Sequence, residues 1–142
     1  MKTMKLYNGV EIPANGFGVY QVSKEDCKES VLTALKTGYC HIDTAQSYFN
    51  ESEVGEALKE SDVPRKEIFL TTKVWIDNYG EGKTYDSVVE SLKKLQTDYL
   101  DLILLHQPVG DYYAAYRDLE KLYEEGKVRA IGVSNFYPDR LV

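Results

Sequence analysis

Cations are in the minority in this chain: 17 lysines and arginines stand against 23 aspartates and glutamates, a net charge of −6 at pH 7. Phosphate backbones are bound by clustered cations, so nucleic acid is not expected as the main partner. Long apolar runs are missing as well. Nothing approaches the roughly 18 apolar residues that cross a bilayer, and the opening Met1-Lys2-Thr3-Met4-Lys5 lacks the apolar stretch of a secretory signal. Cysteine is scarce: Cys27 and Cys40 form no metal or redox spacing, which fits a reduced, cytoplasmic setting. Histidine is scarcer than a metal centre usually needs, with only His41 and His106 available, so no metal is expected. A glycine-rich dinucleotide turn is also absent, because Gly16-Phe17-Gly18 has neither the third glycine nor a following helix in the right place.

What is present is ordinary globular material, with 43% hydrophobic and 28% charged residues. Its 142 residues are expected to form one domain, short for anything but a small α/β fold. The run from Lys5 to Ile12 reads as a β-hairpin around Asn8-Gly9. Short strands are expected at 16–20, 41–44, 68–75, 100–106 and 128–136. Helical stripes lie between them: Val31, Leu32 and Leu35; Val54, Ala57 and Leu58; Tyr85, Val88, Val89, Leu92 and Leu95; Tyr116, Leu119, Leu122 and Tyr123. Ser23 with Asp26 resembles a capping box, Asn50 is a candidate N-cap for the second helix, and Gly38 and Gly126 close helices. Pro138 suits the first position of a fifth helix. The run at 100–106 is almost continuously apolar, as expected of a parallel strand covered on both faces.

Strict β-α alternation means a parallel sheet with right-handed crossovers. The strands end near positions 18, 43, 73, 106 and 134. At that pace a full (β/α)₈ barrel would need roughly 250 residues. The expectation is therefore an incomplete TIM-type barrel: an N-terminal hairpin and about five βα units, a sequence that looks cut. Five strands without further partners leave two open edges and an uncovered inner face, so the chain is expected either to self-associate through those edges, by dimerising, swapping or aggregating, or to be marginally folded.

Polar residues recur at or just beyond successive strand ends: Asp43 with Tyr48, then Lys73, then His106. In a parallel barrel those ends share one rim, where chemistry collects. Each has a structural alternative. Asp43-Thr44 could be a turn or helix cap, Lys73 a solvated rim charge, His106 a satisfied strand-end histidine, and Tyr48 is one of 12 tyrosines. Together they make chemical sense. A tyrosine is a poor acid near neutrality, with a reference pKa of about 10, and a nearby cation eases loss of its proton. Lys73 can supply that charge, Asp43 can hold Lys73 aimed, and a neutral His106 can orient a substrate oxygen. Such a set suits protonation of a carbonyl oxygen while a cofactor delivers hydride.

Two stretches carry a resemblance. Gly38-Tyr39-Cys40-His41-Ile42-Asp43-Thr44-Ala45, followed by Glu51-Ser52-Glu53-Val54-Gly55, is similar to the first signature of the aldo-keto reductases, departing at Cys40 where arginine is usual. The run from Leu119 through Arg129-Ala130-Ile131-Gly132-Val133-Ser134-Asn135-Phe136 is similar to the second. The resemblance covers nearly the whole chain. It implies an NADPH-dependent oxidoreductase that reduces aldehydes and ketones, with Tyr48 as general acid, Lys73 and Asp43 tuning it, and His106 orienting the carbonyl. It further implies that Ser134 and Asn135 meet the nicotinamide carboxamide, that Gly18, Val19 and Tyr20 lie beside the cofactor with Asp43, and that Tyr20, Phe49 and Trp75 wall the substrate pocket. In the family, later strands complete the cofactor cleft; this chain does not contain them. The competing readings are a non-catalytic regulatory or interaction protein of the same fold and, far behind, a metal hydrolase using His41, Asp43 and His106.

Overall fold

The computed structural model describes residues 1–141; Val142, the last residue of the expected domain, lies outside the described residues. Two strands, β1 (Thr3–Lys5) and β2 (Glu11–Pro13), form the antiparallel N-terminal hairpin. The other five make one parallel sheet in chain order: β3 (Phe17–Gly18), β4 (His41–Asp43), β5 (Phe69–Val74), β6 (Leu102–Leu105) and β7 (Ile131–Val133). Helices α1 (Lys24–Lys36), α2 (Glu51–Glu60), α3 (Lys83–Lys94) and α4 (Tyr112–Glu124) alternate with these strands, and α5 (Pro138–Leu141) follows β7. This is the expected incomplete (β/α)₈ barrel, five strands with helices on the outside. Among the described residues no helix is long and apolar enough to cross a membrane.

The core lies between sheet and helices. Ile42, Leu70, Val74, Ile103 and Leu105 point outward from the strands and meet Val31, Val54, Val88, Leu119 and Leu122 from the helices. The near-continuous apolar run of β6 is not buried on both faces. Ile103 and Leu105 are buried, whereas Leu102 and Leu104 are half-buried. The alternation follows from geometry: successive side chains point to opposite faces, and the inner face belongs to a sheet that does not close on itself. Tyr123, expected on the buried stripe of α4, is 40% exposed, and its hydroxyl accepts a hydrogen bond from Asn8 Nδ2. That contact, with the bond from Asn8 Nδ2 to Arg129 O at 2.8 Å, sets the hairpin across the N-terminal ends of the strands.

The helix ends differ from expectation in two places. Ser23 does cap α1, its Oγ accepting from the Asp26 amide at 3.2 Å. Asp26, however, accepts from the Ser23 hydroxyl at 3.0 Å, so only half of a capping box forms. Asn50 occupies the N-cap position of α2 but makes no cap bond. It is buried, its Oδ1 accepts from the Thr44 hydroxyl at 2.8 Å, and its Nδ2 donates to Val19 O at 3.0 Å. A buried loop carbonyl without a partner costs more than an uncapped amide near solvent, so the side chain serves the loop. At the N-terminal edge of the sheet, buried Asp101 accepts from the Leu70 amide and from both Arg65 and Arg129 at 2.8–2.9 Å. The catalytic-looking residues lie at the opposite, C-terminal edge.

Candidate active site

The register carries the site. Gly18 pairs with Asp43, Asp43 with Thr71, and Lys73 with Leu104. Because alternate residues share a face, Asp43 and Lys73 point to the same inner side near the strand ends, and His106, two beyond Leu104, continues that row. Lys73 is only 7% exposed. Its ammonium donates to Asp43 Oδ1 at 2.6 Å, to Thr44 O at 3.1 Å and to the Tyr48 hydroxyl at 3.3 Å. An ammonium has three donors, and these three acceptors use them all. A buried cation is tolerable only when paired and hydrogen-bonded in this way.

Aromatic rings frame the cation. Lys73 Nζ lies 5.0 Å from the centroid of the Tyr48 ring. The Tyr48 ring stands edge-on to His106 at 5.8 Å and is tilted against Tyr20 at 5.2 Å. Trp75 meets the other side of His106 edge-on at 5.4 Å. Burial pushes the His106 pKa below its ordinary value, the Lys73 charge adds to this, and the Asp43 carboxylate opposes it. The imidazole is therefore held toward its neutral form. Its Nδ1 lies 3.3 Å from Ser47 Oγ.

Tyr48 reaches this cluster from a short 3₁₀ turn, Gln46–Tyr48, closed by Phe49 in the left-handed region at φ 57°. Gln46 anchors the turn. Its Nε2 donates to Ser87 Oγ at 3.1 Å and Ser91 Oγ at 3.2 Å on α3, while its Oε1 accepts from the Trp75 amide at 2.9 Å and Asn78 Nδ2 at 2.8 Å. The Ser91 hydroxyl donates onward to Glu51 Oε1 at 3.2 Å, and Thr72 donates to Glu51 Oε2 at 2.7 Å. Glu51 is 3% exposed; burial raises its pKa, and the Thr72 and Ser91 hydrogen bonds resist the rise. One polar network thus ties the Tyr48 turn, the Trp75 backbone, α3 and the strand bearing Lys73.

The structure brings Asp43, Tyr48, Lys73 and His106 together, with Tyr20 and Trp75 beside them. Phe49 follows Tyr48 at the cap of the 3₁₀ turn and is 75% exposed. Val19 is fully buried in the core, so its side chain does not reach the rim, and its backbone N–H is spent on Asp43 O at 3.1 Å. Ser134 and Asn135 do reach the rim: Asn135 Nδ2 donates to His106 O at 3.0 Å and to Ser134 Oγ at 3.2 Å. Sequence reasoning missed Gln46, Ser47 and the carbonyl of Thr44. Their only sequence signal is their place between Asp43 and Tyr48, where any side chain must lie near both. His41 is engaged further down the strands than His106: its Nε2 bonds Thr71 Oγ1 at 3.0 Å, and its ring packs edge-on against Phe69 at 5.1 Å. Among the described residues no three metal-ligating side chains gather.

Comparison with known proteins is consistent with this geometry. The model of the aldo/keto reductase family matches residues 13–142. A glyoxal reductase of Bacillus subtilis is 52% identical over 136 residues, covering 94% of this chain and 49% of that protein. A methylglyoxal reductase of Escherichia coli is 43% identical over 136 residues, with 94% and 49% covered. The crystal structure of an aldo/keto reductase from Brucella melitensis superposes with a TM-score of 0.96 at 46% identity, over 99% of this chain and 56% of that one. A Bombyx mori aldo-keto reductase in complex with NADP gives 0.93 at 33% identity, over 98% and 52%. The chain spans about half the length of the curated relatives it matches.

Proposed function

The chain belongs to the aldo/keto reductase family, and from that premise we propose that its site serves the reduction of small aldehydes and ketones to alcohols, with Tyr48 as proton donor and NADPH as the reductant. The observation that carries this reading is the contact of the buried Lys73 ammonium with both Asp43 Oδ1 at 2.6 Å and the Tyr48 hydroxyl at 3.3 Å.

The residues present fit the nicotinamide end of such a cofactor. Ser134 and Asn135 put a hydroxyl and an amide at the rim beside His106, donors and acceptors that match a carboxamide. Gly18 leaves the adjoining edge open, since a Cβ there would meet nothing within 4 Å. When bound, the cofactor supplies the hydride, which no side chain can give. The chain's own residues do the rest. Tyr48 gives its phenolic proton to the carbonyl oxygen, and the phenolate left behind faces the Lys73 ammonium. Asp43 and Thr44 O hold that ammonium in place, so no reorganisation is needed as charge develops. His106, uncharged, orients the oxygen without competing as a proton donor. Tyr20 and Trp75 flank the carbonyl's substituents. The names of relatives that act on glyoxal and methylglyoxal support small carbonyl compounds as the substrate class. Both cysteines are free, which supports a reducing compartment, and the open edges at β3 and β7 with a half-buried inner face support self-association.

The test follows deuterium from labelled NADPH into the alcohol formed from glyoxal, for the wild type and Tyr48→Phe, with Trp75 fluorescence reporting cofactor binding and sedimentation reporting assembly. We expect labelled alcohol, an oligomer, and a loss of roughly 10²-fold or more in turnover with binding retained in the variant, the size of a positioned general acid's contribution. Unlabelled product, or turnover in Tyr48→Phe close to wild type, would refute the reading.

A further inference from the structure

A neutral imidazole carries one N–H and one lone pair, and the partner of one nitrogen decides what the other offers. In His106 the backbone is spoken for, its N–H bonded to Val74 O and its carbonyl accepting from Asn135. The ring plane is held by edge-on contacts with Tyr48 and Trp75; a flip would keep that plane but put a carbon in place of Nδ1 and forfeit the contact with Ser47 Oγ. Among the described residues the only side chain bonded to either ring nitrogen is Ser47, whose Oγ lies 3.3 Å from Nδ1. We propose that Ser47 is a positioning residue that sets the tautomer of His106: its hydroxyl donates to Nδ1, which keeps the ring proton on Nε2 and turns that nitrogen into a donor toward a carbonyl oxygen.

The direction of the bond follows from counting donors. Ser47 Oγ has His106 as its only hydrogen-bond partner among the described residues. If the hydroxyl donates, both its proton and the Nδ1 lone pair are satisfied. If it accepts, the hydroxyl proton has no protein partner and Nε2 presents a lone pair. That lone pair would repel the oxygen that Tyr48 protonates. The hydroxyl is placed by its neighbours, because Gln46, one residue earlier, is tied to α3 and to the Trp75 amide. What Nε2 meets rests on the carbonyl-reducing reading; the tautomer itself does not.

The chain contains two histidines, so ¹⁵N-labelled protein gives a simple two-bond ¹H–¹⁵N imidazole spectrum, assigned with His106→Gln. His41, bonded to Thr71, is the internal reference. In the wild type we expect the His106 Nδ1 shift of an unprotonated nitrogen and the Nε2 shift of a protonated one. In Ser47→Ala the two shifts should move toward each other as the preference is lost, with His41 unmoved, and Ser47→Thr should restore the separation. Where turnover is measurable, Ser47→Ala should lose roughly tenfold in kcat with cofactor affinity unchanged, about one hydrogen bond's worth. A wild-type proton on Nδ1, an unchanged pair in Ser47→Ala, or movement of both histidines without recovery in Ser47→Thr would overturn the proposal. Failure of hydride transfer with the tautomer result intact would instead remove the carbonyl-reducing reading and leave this one standing.

Discussion

Gly55→Ala sets two effects of opposite sign against each other. Gly55 lies inside α2, where alanine is the better helix former by about 1 kcal/mol. Seen from the helix alone the substitution should stabilise the protein. Packing reverses the sign. A Cβ at position 55 would overlap Lys94 O and stand 2.8 Å from Leu95 C and 2.9 Å from Leu95 Cα, all backbone atoms at the C-terminal end of α3. Backbone cannot rotate away as a side-chain tip can, so the helices must separate by about 1 Å to restore an ordinary contact. Overpacking of this kind costs about 1–3 kcal/mol and sometimes more. Because the obstruction is backbone, the cost falls at the upper end, about 3 kcal/mol, and subtracting the helix gain of about 1 kcal/mol leaves a net loss of about 2 kcal/mol, or roughly 6–8 °C in melting temperature for a domain of this size. The separation would also strain the Glu51–Ser91 bond, which joins the same two helices. Urea unfolding followed by circular dichroism reads the loss, with Ser52→Ala on the exposed side of α2 as a control expected to stay within about 0.5 kcal/mol. A Gly55→Ala protein as stable as wild type, or more stable, would mean that the close approach of α2 and α3 does not exist.

Glu51 makes stability depend on pH with a definite sign. Its folded pKa is raised above the ordinary value of 4.5 by burial, so the native state holds the proton more tightly than the unfolded chain. That stabilisation is full below about 4.5 and is lost as pH rises through the raised folded value. Glu51→Gln should remove this loss, so that the variant gains on wild type as pH rises and then levels off; urea midpoints that stay parallel from acid to neutral pH would contradict it. The cysteines should differ in reactivity. Burial and the Glu53 charge push the Cys27 thiol up to about 11, leaving on the order of 10⁻³ thiolate at pH 8, whereas Cys40 is half-buried. Iodoacetamide followed by mass spectrometry should label Cys40 at least about a hundredfold faster, and comparable labelling of Cys27 in the folded protein would count against its burial.

The alternation of apolar strands with amphipathic stripes was enough to read the parallel sheet, because a period of two and a period of 3.6 are local properties of the chain. The rim residues were legible for the same reason: once strand ends are located, Asp43, Lys73 and His106 fall on one edge by register. What local pattern cannot carry is which way a polar side chain turns when several partners compete. Asn50 looks like a helix cap in sequence, yet it bonds Thr44 and Val19, which lie close only after β3, β4 and α2 have packed. The resemblance puts Val19 beside the cofactor, whereas its side chain is buried in the core and its amide continues the β3–β4 ladder to Asp43 O. Gln46 and Ser47 carry no signal beyond their place between Asp43 and Tyr48, since their partners on α3, after β5 and after β6 are distant in sequence.

These distant partners have a common consequence for the site. Lys73 is held by Asp43, Thr44 and Tyr48; the Tyr48 turn is held by Gln46 against α3 and the Trp75 backbone; Glu51 links α2 to both α3 and β5. Every one of these contacts lies within β4 through α3, and His106 joins from the end of β6, whose ladder to β5 is continuous over four residue pairs. The polar cluster therefore depends on adjacent strands and the helices between them, not on closure of the sheet. The inner face is different: Leu102 and Leu104 on it are only half-buried. Geometry for protonation and cover for the barrel interior are thus separate requirements, and the first is met by side chains that the parallel register alone brings within hydrogen-bonding distance.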